Sequence, residues 1–182
     1  IPDFRVRRGH EVQPSAELFV LVRSLQLRQS WLREFRQLEG EMPLPFIGAH
    51  PLDADPSVVA EHMHRVLDLA NDWASRLRGW EDALATLTWH AEQAGILVVF
   101  NSVLGNNTHR RLKPEEFSGF ALADQYAPLI FVNAAEGKAA QVFTLAHELS
   151  HLWFGASGIS LLRDREFAGS DIERACNRVA AA

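Results

Sequence analysis

The chain has a single cysteine, Cys176, a single tyrosine, Tyr126, and only two methionines in 182 residues. One cysteine excludes an internal disulfide, so packing alone must hold the fold together. No apolar run approaches the 18 or so residues of a membrane span, and no membrane partner is expected. Internal repeats and low-complexity segments are also missing. The chain starts at Ile1 without a signal-peptide pattern, and a reducing cytoplasm is the expected location. Because it lacks an initial methionine and ends, Val179 to Ala182, within a helical pattern, it reads as a piece cut from a longer protein.

With 47% hydrophobic and 23% charged residues, the composition is that of an ordinary globular domain, long enough for one sizeable core. The net charge of −5 hides an asymmetry. Residues 1–36 hold seven arginines and four acids, which leaves 11 basic and 19 acidic residues, a net −8, for the remainder. An acidic remainder makes a poor nucleic-acid surface, so no direct nucleic-acid binding is expected. The arginine-rich start is most simply a linker and a solvated helix face.

Residues 1–14 carry Pro2, Gly9 and Pro14 and no periodicity, as expected of a linker. Residues 15–78 then read as a helical region. Ser15 is placed to cap a helix whose repeat is kept by Leu18, Leu21, Val22, Leu25, Leu32 and Phe35, with Gly40 as its stop. Four prolines between residues 41 and 56 exclude regular structure there until Asp55-Pro56, a capping aspartate followed by a proline suited to a first helical position. Val58, Val59, Met63, Val66 and Leu67 are expected on one side of that second helix. His62 and His64 are two positions apart and diverge around a helix, so they are expected to face solvent or pack partly rather than chelate together. A further helix is expected from Gly79 to Ala94, with Trp80, Leu84, Leu87 and Ala91 on one face.

From Gly95 the period becomes extended. Residues 96–100, 117–123 and 128–132 are β-branched or aromatic runs bounded by turn residues, and predict about three strands. The fold class is therefore α+β, a helical region preceding a small sheet. Between the first two strands lies a polar connection, residues 105–116. Its His109, Arg110 and Arg111 could hold a substrate, although an exposed basic loop is the simpler reading. Tyr126 could stabilise an oxyanion, although a packing or turn role is again simpler.

The chemistry sits in the stretch 143–155, FTLAHELSHLWFG. Val142, Leu145, Leu149 and Leu152 form an apolar stripe at helical spacing, and the other side carries His147, Glu148 and His151 as H-E-x-x-H. Residues four apart lie one turn along the same side of a helix, so both imidazoles can reach one ion. Glu148 projects beside them, in the direction suited to a base rather than a ligand. By composition the motif would arise in roughly 3 of 100 shuffled copies of this chain, and the matching stripe makes coincidence rarer still.

A hydrolytic zinc site takes three protein ligands. No histidine follows His151, and Ser157 occupies the place of the last histidine in a three-histidine pattern, so a carboxylate is required. The candidates are Asp164, Glu166, Asp171 and Glu173. Glu173 is favoured because it begins a helical stretch, DIERACNRVAAA, that can be packed rigidly against the metal helix.

Together, the PLIFVN strand, FTLAHELSHLWFG and IERACNRVAA resemble the ImmA/IrrE family of zinc metallo-endopeptidases, over roughly residues 79–182. The resemblance implies a zincin-like domain over that span, its small sheet packed on the HExxH helix. It implies zinc held by His147, His151 and Glu173, with Glu148 as catalytic residue. Ala175 and Cys176 stand where Glu-Ala is common in the family, and the usual continuation lies beyond Ala182. The region from Pro14 to about Ala70 is similar to the part that in some relatives joins a helix-turn-helix domain to the peptidase, so a longer regulator with such a domain upstream is implied. The implied substrate is an intracellular regulatory protein, often a helix-turn-helix repressor, in stress or mobile-element regulation. The competing reading is a zinc-containing sensor or interaction domain, of a transcription regulator or a toxin–antitoxin component, that never cleaves. Oligomeric state is not legible in the sequence.

Overall fold

The computed structural model describes residues 15–70, 72–105, 107–160 and 171–182. Its elements are α1 (Ala16–Leu38), α2 (Pro56–Val66), a 3-10 turn (Trp73–Arg76), α3 (Trp80–Gln93), β1 (Leu97–Asn101), β2 (Val103–Leu104), β3 (Asn107–Arg111), β4 (Gly119–Leu122), β5 (Leu129–Asn133), α4 (Lys138–Trp153), β6 (Gly158–Ser160) and α5 (Asp171–Ala180). The architecture is α+β and zincin-like. The linker assigned to residues 1–14 lies outside the described residues.

Both expected caps form. The Ser15 side chain accepts a hydrogen bond from the Leu18 amide, and that of Asp55 accepts one from the Ser57 amide, with Pro56 opening α2. The three expected strands become β1, β4 and β5, and β6 joins them in a four-stranded sheet of order β1-β5-β4-β6. β1 and β5 are parallel, with Leu97 opposite Leu129; β4 runs antiparallel to β5 and to β6, with Gly119 opposite Val132 and Ser160. The connection expected as a polar loop, residues 105–116, contains β3, which pairs with β2 just before it as a separate antiparallel ribbon.

Because side chains alternate along a strand, the buried sheet sends two apolar sets in opposite directions. Phe120, Leu122, Leu129 and Phe131 pack with Leu18, Leu21, Val22 and Leu25 of α1. Ala121, Ile130 and Val132 pack with Leu145, Leu149 and Leu152 of α4, and this second core continues through Val59 and Met63 of α2, Leu84 and Leu87 of α3 and Val179 of α5. The sheet is thus sandwiched between α1 and the layer containing α4. Three side chains of α1 also secure the turn after β4. Gln29 donates to the Leu122 and Ala127 carbonyls, Arg36 to those of Gly95 and Tyr126, and Arg33 pairs with Asp124 at 2.8 Å.

Some apolar residues expected in the core face outward: Phe35, Val58 and Trp80 are all exposed. Each lies on a helix with more apolar residues than one buried face can accept, and the elements packed against it, the sheet for α1, α4 and α5 for α2, and α4 with β1 for α3, determine which are covered.

Candidate metal centre

Helix α4 ends at Trp153, two residues after His151. Gly155 takes the left-handed conformation, φ +68°; its amide bonds the Leu152 carbonyl while the Ala156 amide bonds that of His151. This is a Schellman closure, and a glycine adopts it without the Cβ penalty. The 41–55 loop adds two bonds: the Gly48 amide shares the Leu152 carbonyl with Gly155, and the His50 amide bonds the Trp153 carbonyl, with Phe46 stacked on Trp153 at 4.5 Å. The end of the helix is therefore held from two sides of the chain.

On α4, His147 and His151 are almost completely buried, and Glu173 approaches them from the first turn of α5. His147 Nε2 lies 3.1 Å from Glu173 Oε2, His151 Nε2 lies 3.2 Å from Glu173 Oε1, and the two Nε2 atoms are 3.2 Å apart. Among the described residues, these three form a group of ligand-type atoms close enough to hold one metal ion. Tetrahedral zinc with bonds of about 2.0–2.1 Å spaces its ligands about 3.4 Å apart, so the observed triangle needs only a few tenths of an ångström of expansion. Two imidazole nitrogens facing each other at 3.2 Å can share at most one proton, whereas a cation satisfies both nitrogens and the carboxylate together. The donor set fits such an ion. Both Nδ1 atoms are buried with no hydrogen-bond partner among the described residues, so the Nε2 edges carry the polar interactions of the rings.

Electrostatics within the group follow the same geometry. Burial pushes the Glu173 carboxyl up, but hydrogen bonds from His147 and His151 and the charge of the two rings hold it down at about 2. Burial disfavours a charged His151, yet contacts with Cys176 and Glu173 and the charge of Glu148 outweigh it and raise its pKa well above the ordinary value. Burial in turn pushes the Cys176 thiol up. A metal ion would compete with these protons for the same atoms.

Glu148 is fully buried and lies toward β4. A Cβ built on Gly119 would stand 3.5 Å from Glu148 Cγ, 2.7 Å from Thr144 Cγ2 and 2.6 Å from the Phe131 carbonyl oxygen. The missing side chain at Gly119 is what lets α4 approach the sheet this closely. Its sequence signal was an isolated glycine within a strand pattern, which often marks close backbone approach.

Other candidate residues lie elsewhere. Asp171 is exposed and bonds Arg174, one turn along α5; Asp164 and Glu166 lie outside the described residues. His109 and Arg111 are exposed on β3, and Arg110 reaches Glu17 of α1 at 3.3 Å. Tyr126 has the turn role, its amide bonding Asp124 and its carbonyl Arg36. The expected divergence of His62 and His64 holds, but His62 has a partner that spacing could not reveal. Its Nδ1 lies 2.7 Å from His50 Nε2, and its ring meets Trp153 edge-on at 6.2 Å.

An α+β fold with two histidines and a carboxylate converging beside a buried glutamate on one helix defines a metallopeptidase-like domain of the zincin type. The model of the IrrE N-terminal-like domain matches residues 91–182, half of the chain, and the chain belongs to this ImmA/IrrE peptidase family. No curated protein and no solved structure matches it.

Proposed function

We propose that this chain is a zinc-dependent endopeptidase in which His147, His151 and Glu173 hold the ion and Glu148 is the general base and acid. The observation that carries this reading is the triangle of donor atoms at 3.1–3.2 Å, with a fully buried Glu148 on the same helix. Zinc, when bound, supplies Lewis acidity to a peptide carbonyl and makes a water more acidic. Glu148 accepts a proton from the attacking water at a carboxylate oxygen and passes it to the leaving amide nitrogen. Burial between α4 and β4 keeps that carboxylate in one place, as a proton carrier needs. The substrate is proposed to be a regulatory protein of the same cell, a helix-turn-helix repressor being the class that the family resemblance favours.

Glu148→Gln tests the reading. The amide keeps the size of the side chain and leaves the three proposed ligands untouched, so zinc content and fold are expected to survive. Cleavage of a repressor partner should fall by at least about 100-fold, because an amide neither takes the proton nor returns it. A variant that retains zinc and full cleavage would remove Glu148 from the mechanism. A parent chain that binds zinc, cleaves no partner and keeps its regulatory output in the Glu148→Gln form would establish the non-proteolytic sensor instead.

A further inference from the structure

Helix α1 has a second apolar face that no other element among the described residues covers. Opposite the buried set of Leu18, Leu21, Val22 and Leu25, the side chains of Val20, Leu27, Trp31 and Leu38 remain exposed, Trp31 by 65%, Leu27 by 58% and Leu38 by 86%. At about 100° per residue these four lie within roughly 40° of arc, centred about 150° from the buried set. Their spacing of seven, four and seven residues is that of a helix-pairing seam. Phe35 flanks the seam, its ring stacked on Trp31 at 5.8 Å.

We propose that this face is the interface of a homodimer in which the α1 helices of two copies pack antiparallel. The occupant is a second copy because the stripe complements itself. A two-fold axis near the level of Gln29 sets Val20 against the partner's Leu38 and Leu27 against the partner's Trp31. Arg23 and Glu34, both exposed, lie on one flank of the stripe, and the same axis brings Arg23 to the partner's Glu34 in two symmetric pairs. Parallel pairing would instead put each Arg23 and Glu34 on the opposite flank of the seam from its counterparts, where neither charge pair forms, so charge complementarity selects the antiparallel arrangement.

The area is sufficient. With roughly 150–250 Å² per aromatic side chain, and somewhat less per aliphatic one, the exposed parts of Val20, Leu27, Trp31, Phe35 and Leu38 total about 550 Å² per copy. Covering both sets removes about 1,100 Å², just above the ~1,000 Å² expected of a specific interface. A reversible dimer of modest affinity is expected, centred on Trp31 as its aromatic anchor.

Sedimentation velocity of the full chain over a wide concentration range tests this. A species of twice 20.4 kDa is expected at high concentration. Trp31→Glu should weaken it at least about 30-fold, as loss of a central aromatic anchor does, while circular dichroism and melting of the monomer stay unchanged because Trp31 lies outside the core. Arg23→Glu and Glu34→Arg should each weaken the dimer about tenfold, and the double exchange should restore it to within about threefold of the parent. A chain that stays monomeric throughout, its α1 face serving another protein or a lipid surface, overturns the proposal. So does a dimer indifferent to Trp31→Glu, and a double exchange that remains as weak as the single variants overturns the antiparallel pairing.

Discussion

Gly119→Ala adds one methyl group where the sheet and α4 come closest. The new Cβ would lie 2.6 Å from the Phe131 carbonyl oxygen and 2.7 Å from Thr144 Cγ2, both inside any normal contact. Phe131 belongs to β5, which is paired on both sides, to β1 and to β4, so its carbonyl cannot retreat without disturbing three strands. Overpacking of a dense core costs about 1–3 kcal/mol, and a backbone clash on a central strand places this substitution in the upper half of that range. For a chain of this length, each kcal/mol lowers the melting temperature by about 2–4 °C, so calorimetry should show a fall of about 4–12 °C. Thr144→Ala removes one of the two clashing atoms but leaves the Phe131 carbonyl. The double variant should therefore recover part of the loss and not all of it, a coupling readable from a double-mutant cycle. A Gly119→Ala chain within about 0.5 kcal/mol of the parent would show that the α4–sheet distance is not limiting, and would refute the role given to this glycine.

Glu173→Gln should lower zinc affinity at least about tenfold in a competition titration with a chelator, whereas Asp171→Asn, at an exposed side chain, should change it little; equal effects would take Glu173 out of the ligand set. The His50–His62 pair should make stability depend on pH. Burial, then the charges of His50 and Arg65, lowers the pKa of His62 below its ordinary 6.5, so the unfolded chain binds the proton more readily than the folded one. Its contribution is fully present above pH 6.5 and is lost as the pH falls toward the folded pKa, and His62→Gln should flatten denaturant midpoints across that window; an unchanged slope would mean that the pair is not linked to folding.

Much of the fold was legible because local chemistry specifies it. Ser15 and Asp55-Pro56 start helices through their own side chains and dihedral angles, and the three strand runs are dense in residues that suit a sheet buried on both faces. What was not legible depends on partners distant in sequence. β6 exists by pairing with β4, about forty residues earlier in the chain, and the β2–β3 ribbon is too polar at Asn107–Arg111 to show alternation. Helix α1 is apolar on two sides, so periodicity alone could not decide whether Phe35 belongs to the inner or the outer stripe. The sheet decides it, through Phe120 and Phe131.

The site divides in the same way. His147, Glu148 and His151 are placed by one helix, and four-residue spacing was enough to bring the imidazoles together. Glu173 is 22 residues beyond His151, and its candidacy rested on the rigidity a helix gives. The structure supplies that rigidity through packing: Ala175, Cys176 and Val179 of α5 are buried, and Val179 enters the core shared with α4. The division of labour proposed for Glu148 and Glu173 depends on direction, which the motif alone does not give. Glu173 presents both carboxylate oxygens to the two Nε2 atoms, whereas Glu148, one residue from His147, is turned about 100° around the helix toward β4. That turn keeps it out of the proposed ligand triangle and sets its Cγ against β4, where a Cβ on Gly119 would meet it at 3.5 Å, an ordinary van der Waals contact.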